Sequence, residues 1–114
     1  METKVVNVKV AHIRPAYENL KEWMDDEKNV YIGRRGVVFV NKERFPKKDS
    51  IWANPYKIGK DGDRKEVLEK YEAYIRNKIE EEGLQNELKK LSGKNLGCWC
   101  YPEKCHGDIL VKYI

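Results

Sequence analysis

The segment Asn95 to Cys100 constrains the fold most, because Leu96 and Trp99 leave so little polar surface that it must run as a buried strand in the middle of a sheet. Gly93 precedes it, Pro102 breaks it, and a helix with Ile109, Leu110 and Tyr113 as core contacts is expected to start near Cys105. Upstream, Lys4 to Ile13 alternates, with Val6, Val8 and Val10 on one side, and reads as the first strand. Pro15 opens a short helical pattern through Tyr17, Leu20 and Met24, closed by Asp25-Asp26-Glu27-Lys28. Asn29 to Arg34 and Gly36 to Asn41 read as two short strands joined by a tight Arg-Gly turn, and Lys42 to Ser50 as an aperiodic, mobile loop. Asp63 with Glu66 starts a long helix whose inner face carries Leu68, Tyr71, Ile75 and Ile79, and Leu84, Leu88 and Leu91 mark a second, shorter one.

This alternation predicts one domain over 1–114 of the α/β (or α+β) class, a central mixed sheet of about 4–5 strands flanked by helices. With 114 residues, 40% hydrophobic and 37% charged, the chain suits a globular unit with a modest core. No apolar signal core or long uncharged run is evident, so a cytoplasmic location is expected and no membrane partner. The surplus of Lys and Glu fits a thermophilic source, and a homo-oligomer is compatible with the sequence.

All three cysteines and one of two histidines fall between Gly97 and Asp108. In a reducing compartment such thiols act as ligands, catalysts or packing rather than as a disulfide scaffold. Strand alternation puts Cys98 and Cys100 on one face and Trp99 on the other. Cys105 at a helix start gains from the positive end of the helix dipole, which favours thiolate, and Asp108, three residues on, is within range to orient a thiol, a water or His106. Three readings stay open. The cysteines are core residues with His106 and Asp108 at a helix cap, or Cys98, Cys100, Cys105 and His106 bind zinc, or Cys100 and Cys105 with His106 and Asp108 line a catalytic pocket.

Elsewhere, Arg34 and Arg64 suit an anionic group, Arg64 because a cation in a first helical turn calls for an anion or carboxylate beside it. Trp52 could stack on a base or belong to the core, and Asn54, held extended by Pro55, would aim its amide at a fixed target. Six basic residues, Arg34, Arg35, Lys42, Arg44, Lys47 and Lys48, gather around Phe45 and Trp52, a candidate nucleic-acid surface in a chain of net charge +4.

Taken in order, Tyr31-Ile32-Gly33-Arg34, Trp52-Ala53-Asn54-Pro55, Arg64, Tyr71, Gly97-Cys98-Trp99-Cys100 with Pro102, and Cys105-His106-Gly107-Asp108 form a pattern. In it the chain resembles domain of unknown function 4326, from about Val5 to the C-terminus. The resemblance implies a small stand-alone domain common in viruses, phages and microbes, located in the host cytoplasm if viral, with a pocket built from distant segments. It implies no particular activity. The expectation is an enzyme acting on a nucleotide, nucleoside or nucleic-acid end, with Arg34, Trp52, Asn54 and Arg64 as ligand contacts. The alternatives are a non-enzymatic nucleic-acid binding module using residues 34–48, and a zinc-stabilised interaction domain.

Overall fold

The structure is a computed structural model that describes residues 3–100 and 103–114. Its centre is a three-stranded parallel sheet of β1 (Lys4–Asn7), β5 (Asn95–Cys98) and β2 (Asn29–Tyr31), in the order β1-β5-β2. The strand with the least polar surface is therefore the central one, as its composition requires, with Gly97 opposite Val6 on one side and Tyr31 on the other. A separate antiparallel hairpin pairs β3 (Val38–Val40) with β4 (Glu43–Phe45). The α/β class holds, but the expected single sheet of four to five strands is two smaller sheets.

Residues 29–34 and 36–41 do not form a hairpin with each other. β2 finds its partner in β5, and β3 turns back through Asn41 and Lys42, both at positive φ (53° and 67°), onto a strand within the stretch expected to be a loop. Asparagine tolerates that left-handed conformation better than other non-glycine residues, which favours the turn here rather than at Arg35-Gly36. β1 is shorter than its alternating pattern, because Val10–Ile13 coils into one helical turn, α1. α2 (Leu20–Asp25) starts not at Pro15 but at Asn19, whose side chain accepts from the Glu22 N–H.

α3 (Arg64–Glu81) begins on the Asp63–Glu66 capping box and buries Val67, Tyr71, Ile75 and Ile79, while Leu68 sits one step off that face. It is followed by α4 (Gln85–Lys89) and, after β5, by α5 (His106–Tyr113). Pro102, expected to break the last strand, lies outside the described residues.

Alternation along the strands divides the interior in two. Val5, Val30, Ile32, Leu96 and Cys98 pack with α3, α4 and α5, whereas Val6, Val8, Tyr31 and Trp99 pack with Leu20 and Trp23 of α2. Gly97 gives the Trp23 indole its place on the sheet, since a Cβ there would lie 2.4 Å from the ring. Among the described residues no helix is long and apolar enough to cross a membrane.

Candidate functional site

The chain leaves β2 through Ile32, Gly33 and Arg34 and leaves β5 through Trp99 and Cys100, so both exits lie at the carboxyl end of the parallel sheet, where open α/β folds hold ligands. Tyr31 ties the two exits together. Its hydroxyl donates to the Arg34 carbonyl at 2.8 Å and accepts from Trp99 Nε1 at 2.8 Å. Gly33 allows this, because a Cβ at that position would sit 2.4 Å from the same hydroxyl oxygen.

Between these exits and the start of α3 lies a cavity of about 370 Å³, lined among others by Arg34, Asn54, Tyr56, Arg64, Cys100 and His106. That volume falls within the ~300–1,000 Å³ of small-molecule sites. Cys98 and Cys105 line it as well, together with Val37, Ile58, Val67, Leu68 and Trp99. The described lining carries the basic side chains of Arg34, Lys57, Arg64 and Lys104 and no Asp or Glu.

Arg34 donates through Nε to the Asn54 carbonyl at 2.9 Å and through Nη2 to the Tyr56 carbonyl at 2.7 Å. No carboxylate among the described residues pairs with it, so its charge is oriented by neutral acceptors. Asn54 uses its side-chain oxygen to accept from the Tyr56 N–H at 2.9 Å, a local turn that presents Tyr56, Lys57 and Ile58 to the cavity. Arg64 donates to the Lys104 carbonyl and to the Glu103 carboxylate, at 2.7 and 2.6 Å. Glu103 thus supplies the carboxylate that a cation in a first helical turn calls for. The Cys100 sulfur beside Arg64 is the main reason the guanidinium pKa stands above its ordinary value, with the Glu103 carboxylate adding to it.

Cys98 Sγ lies 2.9 Å from Cys105 Sγ, and both side chains are buried beneath the cavity. The sulfur–sulfur hydrogen bond and burial push the Cys105 thiol well above its ordinary pKa, opposite to the lowering expected from the helix start. The dipole is outweighed because the thiol turns into the sheet interior rather than toward solvent. Cys100 is the half-buried thiol of the three.

His106 places Nε2 2.6 Å from the Ile32 carbonyl. A carbonyl can only accept, so Nε2 carries the hydrogen and Nδ1 is left as the basic atom of the neutral ring. Burial lowers the His106 pKa from its ordinary value, helped by the charge of Arg34, against the opposing pull of the Ile32 carbonyl and Asp108. The unfolded chain therefore binds the proton more readily than the folded one. Stability from this group is complete above about pH 6.5 and is lost as pH falls from there toward the lowered folded value. Thermal melting between pH 7.5 and 5 should show a falling Tm that flattens in His106→Gln, and a wild-type Tm level across that range would contradict the assignment.

Two expected site residues lie elsewhere. Asp108 is exposed and accepts from the Cys105 N–H at 2.9 Å, so it caps α5 rather than lining the cavity or orienting a thiol. Trp52 is buried in the core, its carbonyl accepting from the Tyr71 hydroxyl at 2.7 Å, and it is not among the described lining residues. For the zinc alternative, the described residues offer no ligand set. Among the described residues no three His, Cys, Asp or Glu side chains group in a way that could hold a metal. Cys98 and Cys105 face each other, and His106 Nε2 is taken by Ile32.

Fold and cavity together define a small α/β domain with a basic pocket at the carboxyl end of its sheet, whose described lining holds no Asp or Glu. Residues 16–114 match the family described as Domain of unknown function (DUF4326), and the chain belongs to that family. It is 34% identical over 92 residues to "Uncharacterized protein R718" of Acanthamoeba polyphaga mimivirus, covering 74% of this chain and 65% of the relative. It is 36% identical over 67 residues to the "Uncharacterized 12.4 kDa protein in nrdA-td intergenic region" of Enterobacteria phage T4, covering 57% of this chain and 60% of that protein. The matched region thus spans less than two thirds of either viral relative. No solved structure matches the fold.

Proposed function

We propose that the domain binds a nucleotide, free or at the end of a nucleic-acid strand, through its phosphate, and that Cys100 is the nucleophile that acts on it. The observation that carries this reading is the wall of the cavity, with four cationic side chains, no described acid, and apolar and aromatic surface from Val37, Tyr56, Ile58 and Trp99. Such a wall suits a ligand with a charged end and a flat, weakly polar body. Cys100 is half-buried beside Arg64. His106, through Nδ1, supplies the base of the same cavity.

A thermal-shift panel tests the binding step. Nucleoside mono- and diphosphates should raise Tm where the parent nucleosides do not, and Lys57→Glu with Lys104→Glu should abolish the rise. Equal shifts with nucleoside and nucleotide, or none with either, would remove the reading. Cys100→Ser should bind normally, since its thiol serves the later step.

The β3–β4 hairpin favours a second reading, a nucleic-acid binding module that needs no chemistry. Phe39 is 67% exposed with the Arg44 guanidinium 5.0 Å from its ring centroid, and residues 34–48 hold six basic side chains against Glu43 alone. Exposed aromatics set among cations are the usual platform for unpaired bases. Oligonucleotides included in the same panel would then raise Tm in a strongly salt-dependent way and free nucleotides would not.

A further inference from the structure

We propose that Cys98 and Cys105 form a dithiol/disulfide redox couple in the floor of the cavity, able to exchange with a small anionic disulfide of the glutathione class. The couple stands on its own geometry and holds whether or not the ligand of the pocket is a nucleotide. Cys98 is the last residue of the central strand and Cys105 the residue that opens α5, and their sulfurs lie 2.9 Å apart. A disulfide requires about 2.05 Å, so closure needs a movement of under about 1 Å. Both ends are held by the fold in the meantime. β5 is hydrogen-bonded to a strand on each side, and Asp108 fixes the backbone of Cys105.

Two features make this pair reactive rather than merely buried. Both cysteines line a cavity that opens to solvent, and the cations around it attract an anionic reagent. The Cys105 thiol, whose pKa is raised by its contact with Cys98 and by burial, keeps its proton. Cys98 is then the first nucleophile. Its thiolate attacks one sulfur of R–S–S–R, breaking that bond and releasing one RS⁻, which takes up a proton. Cys105 loses its proton and attacks Cys98 Sγ of the mixed disulfide, expelling the second RS⁻. In sum, two protein thiols and one small disulfide become one protein disulfide and two small thiols, the protein losing two electrons and two protons.

The full chain equilibrated across ratios of oxidised to reduced glutathione, acid-quenched, alkylated and weighed intact tests this. The expected product has lost two hydrogens, takes up one alkyl group on Cys100, and regains all three reactive thiols under reduction. After trypsin, which cuts behind Lys94, Lys104 and Lys112, the peptide 95–104 should be joined to 105–112. Cys100→Ser should keep that link, while Cys98→Ser and Cys105→Ser lose it. Three alkylated cysteines at every ratio in protein with a folded circular dichroism spectrum, a lasting glutathione adduct on Cys100, or loss of the link in Cys100→Ser would each overturn the proposal. The wild-type and Cys100→Ser results decide it even if the other two variants fail to fold.

Discussion

Gly97→Ala should destabilise the domain by about 3 kcal/mol, the upper part of the range for overpacking a core. The single added carbon would lie 2.4 Å from Trp23 Cη2 and 2.6 Å from Val8 Cγ1. Neither side can yield easily. Gly97 sits in the central strand, opposite Val6 and Tyr31, and its carbonyl accepts from the Ile32 N–H at 3.1 Å. Trp23 is buried in an α2 whose last turn is tied to β2, Asn29 donating to the Trp23 carbonyl at 2.9 Å. For a domain near 100 residues the loss corresponds to a Tm lower by roughly 12 °C or more. Trp23→Phe in the Gly97→Ala background should recover part of it by withdrawing the indole edge, a coupling that a double-mutant cycle measures. A Gly97→Ala protein melting within experimental error of the wild type would show that the indole does not rest on this strand. Gly107 makes a useful contrast, because there the added carbon would meet methyl groups of Ile32 and Val5 at 3.0 Å, the tips of side chains with room to turn.

Arg34→Lys should cost the pocket most of its affinity for a phosphate-bearing ligand, although it preserves net charge. The guanidinium bridges the carbonyls of Asn54 and Tyr56 with two of its nitrogens and still has donors on Nη1, whereas an ammonium is a point charge that cannot hold both carbonyls in that fork. A lost hydrogen bond to a charged group is worth about 1.5–3 kcal/mol, so affinity should fall by roughly 10- to 150-fold. Arg34→Ala should do the same and also lower Tm, since the two carbonyls lose a charged donor. Calorimetric titration of both variants with a nucleoside monophosphate measures the effect. Unchanged affinity in Arg34→Lys would mean that the ligand does not depend on the presentation of Tyr56, Lys57 and Ile58 by this bridge.

The sequence made some of this architecture legible, and physics explains which parts. Local signals were sound: the Asp63–Glu66 box opens α3 as expected, and the apolar run at Leu96 to Trp99 does lie between two strands. Partnerships were harder. β2 resembles half of a hairpin because Arg35-Gly36 follows it, yet its partner is β5, more than sixty residues away, and alternation along a strand carries no record of which strand it will join. The hairpin instead uses Asn41-Lys42, inside a stretch so charged that it reads as loop.

The site divides in the same way. Arg34, Asn54, Arg64, Cys100, Cys105 and His106 do converge on one cavity. Asp108 and Trp52 are not among its described lining residues: an acid three residues into a helix suits capping as well as chemistry, and burial cannot be read from a tryptophan beside a proline turn. Tyr56, Lys57, Ile58 and Lys104 were missed altogether. The Asn54-Pro55 pair was the available signal for the first three, since an asparagine that closes a turn fixes the direction of the residues following it.

The central claim is that the exits of β2 and β5 and the start of α3 enclose one anion-binding pocket. A heteronuclear NMR titration of the labelled chain with a nucleoside monophosphate tests it most directly. The account predicts saturable shifts concentrated at Gly33, Arg34, Tyr56, Arg64, Cys100 and His106, with the tip of the β3–β4 hairpin at Asn41 and Lys42 unmoved. Shifts confined to Phe39 and the hairpin cations, or none at saturating ligand, would contradict it.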